Sequence, residues 1–448
     1  MNKNKDFYTQ LKSLVFPMAF QQLMTALVSV SDTVMLGFLN QDALSAVSLA
    51  GQVQFVYTLF LFAAMAGVSI FAAQYWAIND KTSVEKILGI GLKMSVLLSL
   101  PFTFGAILCP KLLMKAFASE QILIEYGAEY LRTVGISYFL LSISQIYLCI
   151  MKNCGMASKC ATISSMSVVI NIILNALFIF GFDMGTVGAA AATVISKIVE
   201  LAWAILIMVK KDNAKIRMKY LIHCDEKLKS DFRKYTLPIL GNEIVWGIGF
   251  TMYSVIMGHL GSDAAAANAI ANIIKNLVIC FSTGVANASG VIVGGLLGRG
   301  ELEKAKIYGS RLVKIAIIGG VFSGAIILCI IPFVSFFGTL SETAQDYLRV
   351  MLVVCSYYVI GKSVNMTTVS GIFPAGSDSK FGFVCDAITM WAVVVPIGLI
   401  SAFILDLPVT IVYIIINIDE IIKLPAVYKN YKKYNWVKNI TTNKTCAA

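Results

Sequence analysis

Twelve runs of apolar residues, each long enough to cross about 30 Å of hydrocarbon, follow one another through the chain. They lie near 14–39, 47–77, 87–109, 124–151, 161–181, 185–209, 237–260, 266–297, 312–337, 347–373, 381–405 and 409–427. Lipid offers no partner to a peptide N–H or C=O, so such runs must satisfy their own hydrogen bonds, and repeated runs of this length do so as helices. The chain therefore reads as an all-α membrane protein with twelve transmembrane helices. Only 14% of its residues are charged, against about 25% in soluble domains, so a water-exposed surface cannot be built from it. The first run keeps Asp32 inside it and is as long as the others, which reads as a spanning helix and not a cleaved signal.

Charge sets the expected orientation. Of the 36 Lys and Arg, 29 fall in or beside the segments on one side of the twelve runs, the last six from Lys423 onward. Positive residues stay in the cytoplasm, so both termini are expected there, in a multi-pass protein of the cell membrane. The net charge of +11 then reflects this bias and contact with anionic lipid headgroups, and no nucleic-acid partner is implied. The ten cysteines form no CxxC pair, predict neither metal nor disulfide, and read as small apolar residues. The sequons at Asn439 and Asn443 fall in the cytoplasmic tail and are discounted.

A second pattern divides the chain. Pro17, Val34, Gly37, Leu39, Asp42, Ala43 and Ala46 recur 221 positions later as Pro238, Val255, Gly258, Leu260, Asp263, Ala264 and Ala267. The same offset carries Gly155-x-x-Ser158-Lys159 onto Gly376-x-x-Ser379-Lys380. Six crossings return the chain to its starting side, so the halves are parallel repeats in two six-helix lobes. The expected divisions are an N-terminal lobe at 1–209, a cytoplasmic linker at 210–235, a C-terminal lobe at 236–428 and a cytoplasmic tail at 429–448. Other loops are short, which leaves no room for a soluble catalytic domain. The Gly-rich stretch at 294–300 lacks the Lys-Ser/Thr of a phosphate loop, so ATP hydrolysis is not expected.

Polar residues inside the runs are the functional candidates, because a carboxylate near the bilayer centre costs about 2.5–3.5 kcal/mol. Asp32 lies in the first run; Asn171 and Asn175, one turn apart, share a face of the fifth; Thr193 lies in the sixth. One charge and three neutral oxygen donors suit Na+ or a proton-linked network, while a purely structural hydrogen-bond role also fits. The second half carries Glu243 and Asp386, with Lys275 and Lys362 as possible partners, and these could equally be structural pairs. Lys197 and Glu200 read as a simple i,i+3 pair. Trp246, Phe250, Met252 and Tyr253 offer the aromatic and Met wall of a chamber, and aromatic faces attract organic cations. With His223 in the linker and His259 at a helix end, no histidine chemistry is expected in the core.

The segment Ser31-Asp32-Thr33-Val34-Met35-Leu36-Gly37, the twin Gly-x-x-Ser-Lys loops and Trp391-x4-Pro396 resemble the multidrug and toxic compound extrusion (MATE) family. The resemblance covers nearly the whole chain. It implies two six-helix bundles around a V-shaped chamber and export of cationic, amphipathic compounds driven by Na+ or H+, with no cofactor. It also implies a cation site in the N-terminal lobe, to which Asp32, Asn171, Asn175 and Thr193 correspond. Asn175 stands where some relatives have Asp, and the tenth-helix acid of some members is absent, with Lys362 and Asn365 nearby; Glu243 with Asp386 is the substitute pair read here. A monomer in contact with membrane lipids is expected. Two rival readings are a flippase for lipid-linked oligosaccharides and a membrane-embedded transferase. The first would want a strongly cationic chamber, whereas only three basic residues are embedded; the second would want a catalytic pair that no motif supplies.

The repeat does not extend to the polar set. At the same offset Tyr253 answers to Asp32, Ala392 to Asn171, Pro396 to Asn175 and Ile414 to Thr193, while Glu243 answers to Gln22 and Asp386 to Ser165. The halves are expected to share a scaffold and differ in chemistry.

Overall fold

The computed structural model describes residues 2–118, 120–209, 217–222, 225–336 and 340–441. Helices account for nearly all of them. The long ones are α1 (Asn2–Leu39), α2 (Gln41–Ala77), α3 (Lys81–Leu108), α4 (Gln121–Asn153), α5 (Ala157–Gly181) and α6 (Gly185–Met208). They continue as α7 (Glu226–His259), α8 (Ser262–Gly298), α9 (Leu302–Ile330), α10 (Glu342–Ala375) and α11 (Ser379–Phe403). By length and composition these eleven are able to cross a membrane.

The twelfth run is where sequence and structure part. It is split into α12 (Val409–Ile416) and α13 (Asp419–Lys433), with Asn417 and Ile418 between them. Three charged residues, Asp419, Glu420 and Lys423, fall inside the run that hydropathy alone treats as continuous. All three are buried.

Turn chemistry differs between the repeats. Asn40 alone separates α1 from α2, and its side chain accepts a hydrogen bond from the Ala43 N–H at 2.6 Å, capping the new helix. At the equivalent turn Gly261 adopts φ 117° and caps α8 with no side chain. Asp80 and Ser341 cap α3 and α10 in the first manner.

Two compact units emerge, one of residues 20–236 and one of residues 1–19 with 237–448. The first 19 residues, expected with the N-terminal lobe, thus pack with the second unit. The changeovers fall at 19/20 and 236/237, within two residues of the repeat-related Pro17 and Pro238 inside α1 and α7. Each proline removes one helical N–H and so weakens the ladder at that point.

In the unit of residues 20–236, Tyr57, Leu131, Val134 and Tyr138 are buried together, and the Tyr57 hydroxyl donates to the Tyr138 carbonyl at 2.8 Å. Within the expected linker, Met218–Ile222 forms a short helix packed on α3, and α7 already begins at Glu226. Residues 210–216 and 223–224, with His223, lie outside the described residues. In the other unit, Tyr253, Met351, Cys355, Tyr358 and Tyr413 share one core. Its tail does not trail away. Trp436 is fully buried, its indole N–H donating to the Tyr431 carbonyl at 3.1 Å, and Asn439 donates to the Gly298 carbonyl at 3.2 Å.

Candidate functional site

In the unit of residues 20–236, α1, α5 and α6 bring Asp32, Asn171, Asn175 and Thr193 into one chain of hydrogen bonds. The Asn175 amide donates to Asp32 Oδ1 at 2.5 Å and to Asn171 Oδ1 at 3.2 Å. Asn171 in turn donates to Thr193 Oγ1 at 3.3 Å, and Thr193 donates to the Ala189 carbonyl one turn earlier at 3.0 Å. The two amides point the same way because four residues on a helix make just over one turn. Asn171 and Asn175 are buried, and Asp32 is half-buried.

One buried oxygen in this cluster, Asn175 Oδ1, has no hydrogen-bond partner among the described residues. An orphaned acceptor of this kind costs about 1–3 kcal/mol. Beside a carboxylate it is the donor type that Na+ takes, and it is equally able to accept from a protonated acid or a water. Below it the helix changes: Leu177–Gly181 forms a π-helical turn beginning two residues past Asn175. Such widened turns free main-chain groups and recur at functional sites.

Lys197 and Glu200, expected as an i,i+3 pair, are one at 2.8 Å. Glu200 also accepts from Ser144 at 3.0 Å and Gln145 at 3.2 Å, tying α6 to α4. The fully engaged carboxylate is a structural anchor.

The polar residues of the other unit form a larger network, centred on a residue the sequence did not single out. Glu420 accepts from Lys362 at 3.0 Å, from Lys423 at 3.2 Å and from the Asn365 amide at 2.7 Å. Lys423 extends the chain to Asp386 at 2.8 Å. The partners therefore differ from those sequence suggested. Asp386 takes Lys423, Lys362 takes Glu420, and Lys275 ion-pairs with no described residue. Lys275 is buried with its ammonium 4.7 Å from the centre of the Tyr358 ring and 5.8 Å from that of Phe250. Glu243 is half-buried on α7 and feels the charges of both Lys362 and Asp386. Asn365 and Asp386 each immediately precede a π-helical segment, Met366–Ile372 and Ala387–Val394.

The expected wall on α7 is present. Trp246 and Phe250 stack at 5.5 Å with planes 16° apart, both part-exposed along with Met252, whereas Tyr253 is buried and its hydroxyl has no hydrogen-bond partner among the described residues. Trp391 fixes α11 to this helix, its indole donating to the Val245 carbonyl at 3.1 Å. His259 closes α7 edge-on against Phe403, its Nδ1 2.9 Å from the Val255 carbonyl oxygen.

The signal that would have exposed Asp419, Glu420 and Lys423 was available. Three charges within five positions of a 19-residue apolar run are costly in lipid unless paired, and Glu420 with Lys423 has the spacing of a helical ion pair. Among the described residues no cluster of His, Cys, Asp and Glu has the makings of a transition-metal site.

The MatE family model matches the chain twice, over residues 17–177 and 238–400. The two matches begin 221 residues apart, the interval of the internal repeat. The chain belongs to the MatE family. It is 19% identical to the uncharacterized transporter YisQ of Bacillus subtilis across 98% of this chain and 97% of that protein. It is 25% identical to the probable multidrug resistance protein NorM of Burkholderia pseudomallei across 87% and 85%. The fold matches that of a MOP superfamily transporter from Pyrococcus furiosus with a TM-score of 0.87, at 20% identity over 95% of each chain. An outward-facing multidrug resistance MATE family transporter also matches at 0.87, with 19% identity over 95% of each. MatE proteins are multi-pass efflux transporters of small molecules and not enzymes, so the transferase reading is set aside.

Proposed function

We propose that this MatE protein exports amphipathic drugs or toxic metabolites across the cell membrane, both termini in the cytoplasm, by antiport with Na+ or H+. The observation that carries the coupling is the Asp32–Asn175 contact with Asn175 Oδ1 left unpartnered. Asp32 is the only acid in that cluster, so its charge governs whether a cation or proton is held there. An ion that binds one arrangement of the protein better than the other shifts the population between them by its difference in affinity, and that difference is what drives export.

In this reading Asp32 holds the coupling ion, Asn171, Asn175 and Thr193 position it with neutral oxygens, and Trp246, Phe250, Met252 and Tyr253 contact the transported compound. Cationic amphipaths are the class implied by the family resemblance, and Asp32 is the acid such a cation would compete for. Glu243, Asp386, Lys275 and Lys362 form the polar counterpart in the second unit.

Purified protein in vesicles, given a Na+ gradient and a pH gradient in turn, is the test. Efflux of at least one of two fluorescent amphipaths, the cation ethidium and the acid fluorescein, should accelerate under at least one gradient, and Asp32→Asn should abolish that acceleration while the protein stays folded and membrane-inserted. Full gradient-driven export by Asp32→Asn would remove Asp32 from the mechanism.

A further inference from the structure

Aromatic rings attract organic cations through the negative potential of their faces. On α7 those faces are already taken. The Lys362 ammonium stands 4.8 Å from the centre of the Trp246 ring, and the Lys275 ammonium 5.8 Å from that of its stacked partner Phe250. Both cations are tethered, from α10 and α8, and cannot diffuse away.

Three acids of the unit are buried, and two of them are engaged by lysines, Glu420 pairing with Lys362 itself. Asp419 and Glu420 are 1% and 0% exposed, and Asp386 is 6% exposed. Glu420 is spent on two lysines and Asn365, and Asp386 on Lys423. Glu243 is half-buried on α7 three residues before Trp246, and the Lys362 charge bears on it. Lys275 keeps its three N–H donors without a hydrogen bond or ion pair to any described residue. A buried ammonium in that condition favours an incoming acceptor.

We infer that the α7 wall receives the acidic end of an amphipath and turns away permanent cations, with Lys362 and Lys275 as the residues that set this preference. The inference rests on the reading above that Trp246 and Phe250 contact the transported compound. It narrows the substrate of this wall to an aromatic body bearing a carboxylate or similar acid group. An organic cation placed on Trp246 would have to displace Lys362 or share the ring with it, and like charges at that distance repel. An acid group gains the opposite term and a hydrogen bond.

The test needs no ion gradient, which separates it from the coupling assigned to Asp32. Fluorescein and a rhodamine ester share a xanthene ring system but carry opposite charge. Their binding to the detergent-purified full-length protein is followed by fluorescence anisotropy. The wild type should prefer fluorescein. Lys362→Met should tighten rhodamine about fivefold, the scale of one cation–π contact, and weaken fluorescein, while Lys362→Arg should keep the wild-type order. Glu420 keeps Lys423 and Asn365 in Lys362→Met, so the unit should remain folded, and thermal unfolding checks this. Lys275→Met should act in the same direction. Preference of the wild type for rhodamine, or an unchanged ratio in both Met variants, would overturn the charge rule alone. Failure of both dyes to bind any variant would overturn it together with the wall as a substrate surface.

Discussion

Gly376 and the Trp436 carbonyl occupy a space that admits only hydrogen: a Cβ on Gly376 would lie 1.4 Å from that oxygen. At the repeat-related Gly155 the reason for glycine is different, because a Cβ there meets nothing within 4 Å but φ is +81°. One motif thus serves a close approach in one unit and a left-handed turn in the other. Gly155→Ala should cost about 1–2 kcal/mol of local strain without displacing a neighbour. Gly376→Ala should lift residues 434–441 off the unit. Trypsin cleavage after Lys432, Lys433 and Lys438 would report this, accelerating in Gly376→Ala and staying at the wild-type rate in Gly155→Ala.

Asn175 both steadies Asp32 and offers the cluster its unpartnered oxygen, so its chemistry should matter more than its volume. Asn175→Leu removes a hydrogen bond to a charged group, worth about 1.5–3 kcal/mol, and should slow ion-driven efflux by about tenfold or more. Asn175→Asp keeps an oxygen in place and adds a charge, and should retain ion-driven efflux. Initial rates in vesicles at matched protein density distinguish the two, and equal loss in both would make the position merely structural.

The fold was largely legible because bilayer length and the 221-residue repeat leave few alternatives. Asn171 and Asn175 were legible as a pair because a turn of helix brings them to one side, whereas Asp32 and Thr193, on other helices, stood out only as polar residues in apolar runs and were grouped with the amides by the family resemblance. Glu420 was hidden by averaging: a run that is apolar in the mean absorbs a short charged cluster, and only pairing across 58 residues with Lys362 shows why it is tolerated. The three π-helical segments beside Asn175, Asn365 and Asp386 have no simple sequence signature, since a one-residue widening leaves hydropathy unchanged.

The short linker helix Met218–Ile222 leans on α3 through a backbone contact and two ion pairs of unequal worth. A Cβ on Gly89 would stand 2.7 Å from the Tyr220 carbonyl oxygen, whereas Arg217, which reaches Glu85 at 2.7 Å, is 62% exposed in its side chain, and Lys86 meets Asp225 only at 3.8 Å. Exposed pairs contribute about 0–1 kcal/mol. Lys86→Ala should therefore leave unfolding within about 1 kcal/mol of wild type. Gly89→Leu should detach the linker helix, seen as faster hydrogen exchange across 217–222, and unchanged exchange there would discount the packing contact.

Glu420 is the position at which one substitution should harm the second unit most. Its carboxylate is fully buried and holds Lys362, Lys423 and Asn365 at once. Removing one partner of a buried pair leaves the others desolvated and uncompensated, a cost of about 3–5 kcal/mol. Glu420→Ala should thus lower the unfolding temperature in detergent sharply, whereas Lys362→Met, which leaves Glu420 two partners, should lower it less. Replacing Glu420, Lys362, Lys423 and Asp386 together by apolar residues removes two acids and two lysines along with their desolvation, and apolar replacements of buried ion networks are often neutral or stabilising. That quadruple variant should regain most of the stability lost in Glu420→Ala. If it is instead the least stable of the three, the network contributes attraction beyond its own desolvation, and the hub is a source of stability and not only a demand for partners.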